Sequence, residues 1–310
     1  MPRSSPGGVR ASEARWRAAT QLTLSVIVGG MTLVDPDVAP APARSTRRTG
    51  SSVRGTAAVV ALGATLACTV LAWFVLRTPL GQRLDERAMN TVVAGRDTQL
   101  QVLSVLGYVS IGAIVVVALA CVVVALVRGR AALALGALTV IAGANVTTQV
   151  LKHALLTRAD VVDGVVAPVN SFPSGHTTVV AAGVGALCLV SPRWMRPLVV
   201  PFGAFAVTLT GASTVVAGWH RPSDVVGAVL VTTAWTAVVS WVLGRQHVAV
   251  RGTWLLALVG AVAAIGALVA IGVRPSYGWD GFTDAALVLG ALGVTLGLGV
   301  AAGNRATPTS

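Results

Sequence analysis

Residues 197–243 read PLVVPFGAFAVTLTGASTVVAGWHRPSDVVGAVLVTTAWTAVVSWVL. The apolar runs at 197–217 and 225–243 each approach the roughly 20 residues that a helix needs to cross a bilayer core about 30 Å thick. Between them, residues 218–224 hold the only charged side chains of the stretch, Arg221 and Asp224, together with His220. The pattern is a membrane helix, a short polar turn and a second membrane helix. It recurs outward along the chain, at 56–76, 103–127, 131–150, 174–190, 253–273 and 281–302, which makes eight expected spans. The expected fold is an all-α polytopic membrane bundle, with six spans forming a core over 56–245 and two further spans over 246–303.

Composition agrees. Of 310 residues, 55% are hydrophobic and 11% charged, against roughly 25% charged in an average soluble domain. A net charge of +12 would suggest nucleic-acid binding in a soluble protein. Here the arginines punctuate apolar runs, which is a topology signal, and no nucleic-acid partner is expected. Residues 1–55 are rich in Pro, Ser, Arg and Ala and read as a flexible cytoplasmic tail, with a short tail again at 304–310. A signal peptide at 22–34 is the rival reading, although Asp35-Pro36-Asp37 stands where small residues would mark cleavage. A true start at Met31 is a third. Fifteen of the 23 basic residues fall on the side of the N-terminus and eight on the other. By the positive-inside rule the N-terminus is cytoplasmic. Cys68, Cys121 and Cys188 lie inside apolar runs, far apart, and read as small buried hydrophobes.

Three loops then fall on the outer face. The first carries Lys152 and Arg158 at the end of the third span, two cations that can converge on one anion or simply anchor the helix end at the interface. The second is Asn170-Ser171-Phe172-Pro173-Ser174-Gly175-His176, a helix start whose free N–H groups and dipole favour an anion. Gly175 permits close backbone approach, Ser174 adds a hydroxyl, and His176 is either a general acid or a helix-capping histidine. The third contains His220 and Asp224, four apart, so that the carboxylate can hold one imidazole nitrogen and leave the other to attack; the alternative is that Asp224 caps its own helix. Together these groups are the parts that phosphoryl transfer through a phosphohistidine requires.

At these residues the chain resembles the type 2 phosphatidic acid phosphatase family, whose fold is shared with vanadium-dependent haloperoxidases. The family's motifs are a Lys followed by Arg-Pro, then Pro-Ser-Gly-His, then Ser-Arg with a His six positions on and an Asp four beyond. The resemblance implies a membrane lipid phosphatase acting on a phosphomonoester or pyrophosphate, with no cofactor and no metal. It implies His220 as nucleophile, Asp224 as its orienting partner and His176 as general acid, with Lys152, Arg158, Ser174 and Gly175 binding phosphate. Two positions depart from the pattern: Ala159 replaces Pro, and Thr214 replaces a phosphate-binding Arg, for which Arg221 is a candidate substitute. A lipid-phosphate binder or transporter without turnover, and a vanadate-dependent oxidase, are the rival functions. The expected partner is a lipid phosphate in the bilayer.

Overall fold

The computed structural model describes residues 49–93, 111–159, 170–244, 252–270 and 281–307. The two tails, apart from 49–55 and 304–307, lie outside these ranges, as do residues 103–110 and 271–273 of two expected spans. The described residues form an all-helical bundle: α1 (Thr49–Arg77), α2 (Pro79–Val92), α3 (Ile111–Val127), α4 (Ala131–Val150), α5 (Gly175–Val190), α6 (Arg196–Val216), α7 (Pro222–Leu243), α8 (Thr253–Ala270) and α9 (Phe282–Ala306). Six helices are long and apolar enough to cross a membrane, and α3 and α5 are shorter apolar helices. Every expected span is thus represented by a helix.

Two elements differ from the expectation. The segment between the first two expected spans was assigned no element, yet Pro79–Val92 is helical. Pro at its first position and Thr78 accepting a hydrogen bond from the Gly81 N–H start it. The third span continues beyond Val150 as a π-helical turn, Leu151–Leu155, which carries Lys152 and His153. Such turns recur at functional sites.

α5 and α7 lie at the centre, each contributing to both principal apolar clusters. One cluster joins them to α1, α3 and α4, the other to α6, α8 and α9. Small residues allow the close approach that membrane helices rely on. A Cβ on Gly260 of α8 would fall 2.0 Å from the Pro201 carbonyl oxygen of α6. α9 packs against α6, α7 and α8 and also reaches α1 and α2, so the last two helices are integral to the bundle. Buried Arg196 fixes one end, donating to the carbonyls of Cys188 and Thr307.

At the other end, Phe172 is fully buried against α7, where a Cβ on Gly227 would come within 2.4 Å of its ring. Gly227→Ala is therefore expected to destabilise by about 1–3 kcal/mol. Thermal melting in detergent should show a lower midpoint; an unchanged midpoint would contradict this packing.

Candidate active site

The last turn of α6 ends at Gly218, whose φ of 74° reverses the chain. The Trp219 and His220 N–H groups then both donate to the Thr214 carbonyl, at 3.0 and 3.2 Å. Arg221 is extended and Pro222 opens α7. Asp224 Oδ2 collects three groups: the Ser171 hydroxyl (2.6 Å), the Arg221 N–H (3.0 Å) and His220 Nδ1 (3.1 Å). Asp224 thus both caps α7 and bonds the His220 ring. An acceptor-only carboxylate on Nδ1 places the proton there and the lone pair on Nε2. Nε2 has no partner among the described residues. Both side chains are deeply buried.

Ser174 precedes α5, with its N–H donating to the Asp224 carbonyl (2.9 Å). The second and third segments are thereby joined by backbone. Ser174 Oγ accepts from the Thr177 N–H (3.4 Å) and hydroxyl (3.0 Å), so it caps the helix. Its own hydrogen has no acceptor among the described residues. Gly175 and His176 are the first two residues of α5, where helix N–H groups lack intrahelical acceptors. The His176 ring stands 5.8 Å from that of Trp219.

The π turn bearing Lys152 is held by Asn170, whose amide donates to the carbonyls of Leu156 (2.9 Å) and Lys152 (3.3 Å) while its oxygen accepts the Phe172 N–H. Arg158 follows. Its Nε is buried without a hydrogen-bond partner among the described residues. Burial, then the neighbouring Arg221 charge, lowers its pKa from the ordinary value, while Asp85, Glu86 and Asp224 oppose that shift. Ala159, where the resembling pattern has Pro, donates its N–H to the Leu76 carbonyl at 2.9 Å. Proline has no N–H for this bond.

Thr214 is fully buried, and its hydroxyl donates to the Gly211 carbonyl (2.7 Å). Arg221, the candidate substitute cation, has its guanidinium on Glu86, with Nε and Nη2 both 2.8 Å from Oε2. Its charge is therefore balanced within the protein.

Several residues near the site were given no role by the sequence: Asn170, Ser171, Ser213, Ser223, Asp85 and Glu86. Ser213 Oγ is buried and unpaired among the described residues. Asp85 of α2 accepts the Ser223 N–H (3.1 Å) and the Ser223 hydroxyl. The turn of α2 that brings it there is fixed by Gln82, which donates to the carbonyls of Leu76 (3.2 Å) and Ala159 (2.7 Å). Beside the site, a cleft of about 680 Å³ runs between α1, α4 and α7, lined by Leu76, Leu151, Leu155, Phe172, Leu230 and Trp235 among others.

Burial pushes the Asp85 carboxyl from 3.8 up to about 6, opposed by the Ser223 hydrogen bonds and assisted by the Asp224 charge. A carboxyl that holds its proton more tightly when folded contributes stability that is fully present below the unfolded pKa, about 4. That stability is lost as pH rises through about 6. The melting temperature of the wild type is expected to fall more steeply across this window than that of Asp85→Asn. Parallel profiles for the two proteins would contradict the assignment.

A family model described as PAP2 superfamily matches residues 56–248. No curated protein and no solved structure matches the chain significantly. The matched range covers more than half of the chain and contains all three segments, from Lys152 to Asp224. The chain belongs to the PAP2 superfamily, and this membership supports a phosphatase-type activity on lipid phosphates.

Proposed function

We propose that this protein hydrolyses a phosphomonoester or pyrophosphate of a membrane lipid through a phosphohistidine on His220, without a metal ion. The observation that carries the reading is the His220–Asp224 pair, with Nδ1 held at 3.1 Å and Nε2 without a partner among the described residues. The phosphate is held by Lys152, Arg158, the Ser174 hydroxyl and the backbone at Gly175, where fixed cations and helix N–H groups stabilise developing charge. The Nε2 lone pair attacks phosphorus as the bond to the lipid oxygen breaks, and His176 protonates that oxygen. Water then attacks phosphorus, His176 takes its proton, and the N–P bond breaks to release inorganic phosphate and restore the imidazole.

The orphaned Arg158 Nε supports an anion at this place. The apolar cleft that ends at Leu155 and Phe172 supports a substrate with hydrocarbon tails, such as a phosphatidic acid or a polyprenyl pyrophosphate. The catalytic unit is residues 56–245, which the helices within 246–303 buttress through α6 and α7. The site faces outward from the membrane.

The test is phosphate release from phosphatidic acid and from a polyprenyl pyrophosphate by the purified protein, with and without EDTA. His220→Ala is expected to lower turnover by roughly a thousandfold or more. Arg158→Ala removes a charge-assisted contact of about 1.5–3 kcal/mol and should cost roughly 10–100-fold in kcat/KM. EDTA should change nothing. Turnover retained in His220→Ala overturns the mechanism, and a Mg²⁺ requirement overturns metal independence. Binding of the lipid phosphate by the wild type without turnover would instead favour the binder or transporter.

For orientation, cysteines replacing Arg87 on α2 and Trp194 between α5 and α6, both exposed, should differ on intact cells. An impermeant thiol reagent is expected to label the first and not the second. The reverse pattern would put the site in the cytoplasm.

A further inference from the structure

α2 belongs to none of the three segments, yet two of its side chains grip the third. Asp85 holds both polar hydrogens of Ser223. Glu86 holds the guanidinium of Arg221. These partners occupy the positions immediately after His220 and immediately before Asp224.

The Ser223 N–H is one of the donors that the start of α7 leaves without an intrahelical acceptor. The Ser223 hydroxyl and the Arg221 guanidinium are further donors within the same turn. The Asp224 carboxylate is an acceptor in the same turn, and it already takes the Arg221 N–H and Ser171. Arg221 Nη1 also lies 3.4 Å from Ser171 Oγ, the hydroxyl bonded to Asp224. Released from Glu86, the guanidinium would be one hydroxyl away from Asp224 and free to form a charge-assisted pair with it. Such a pair would compete directly with His220.

α2 is itself firmly seated. Thr78 caps it, and Gly81 packs so closely on the Phe74 carbonyl that a Cβ there would lie 2.2 Å from its oxygen. Gln82 ties it to α1 and to Ala159, and Met89 and Val92 join the apolar cluster of α6 and α9.

We propose that Asp85 and Glu86 are positioning residues that occupy the competing donors Ser223 and Arg221 and so reserve the Asp224 carboxylate for His220. The inference rests on His220 being the nucleophile. Its two halves are separable, because Glu86 is 41% exposed and its replacement by Gln leaves the core intact.

The experiment compares wild type, Asp85→Asn, Glu86→Gln, Glu86→Gln with Arg221→Gln, and His220→Ala. The substrate is whichever of phosphatidic acid and a polyprenyl pyrophosphate the wild type turns over, in detergent micelles. Each positioning variant is expected to lose roughly tenfold in kcat with KM within about twofold. Inhibition by orthovanadate, which needs an in-line imidazole, should weaken by a comparable factor, while inhibition by inorganic phosphate should stay within about twofold. Removing the competing cation in the double variant should restore most of the kcat lost in Glu86→Gln, a rescue that loss of general stability would not produce. Unchanged kcat in Glu86→Gln, or no rescue by Arg221→Gln, overturns the inference. Turnover in His220→Ala, or none in wild type, fails the phosphatase reading itself and is distinguishable from either result.

Discussion

A carboxylate with almost no exposure needs hydrogen-bond donors in place of water, and Asp224 Oδ2 takes three at once. Ser171 comes from the loop before α5, the Arg221 N–H from the cap of α7, and His220 from the turn after α6. Burying a charge is costly unless hydrogen bonds replace the lost water. Those bonds are therefore obligatory, and they set the loop before α5 against the turn between α6 and α7, which membrane packing alone leaves free to slide. The Asp224 carbonyl adds a fourth tie by accepting the Ser174 N–H.

The bundle beneath supplies what this cluster needs. In lipid every backbone polar group must be satisfied within the protein, so irregular chain is confined to helix ends. The ends of α1, α4 and α6 and the starts of α5 and α7 meet at one such place, joined by bonds such as Ala159 to Leu76 and Asn170 to Leu156. The helices bring the functional groups close by packing through small residues; the polar loops then fix them to within hydrogen-bond distance.

Much of this was legible before folding. The apolar runs marked each span because hydrocarbon imposes a strict length and composition. His220 and Asp224 were readable as a pair because four residues on a helix start is a local relation. α2 was not readable: Pro79–Val92 is a mixed polar segment with no apolar run, so it was assigned no element. Its contacts are also remote, Asp85 meeting Ser223 across 138 positions and Glu86 meeting Arg221 across 135. For the same reason Arg221 passed as a spare cation until its carboxylate partner was seen. Ser174 was expected to bind an anion; what the structure shows is its cap to Thr177, which depends on local backbone geometry that residue type alone does not specify.

The length of α5 has a consequence for how water and lipid meet. Its 16 residues extend about 24 Å at 1.5 Å per residue, short of a hydrocarbon core of about 30 Å. The exposed Arg193 and Trp194 just beyond its C-terminus mark one interface. With that end at the headgroups and α5 running straight across, the opposite end, with Ser174 and His176, would lie below the other headgroup plane. On the proposed function, a lipid headgroup reaching it would sink inward along its own tails and shed part of its hydration, a descent that a small soluble phosphate ester, with no tails in the bilayer to anchor it, would have nothing to drive. The depth of one helix terminus would then select for substrates that live in the membrane.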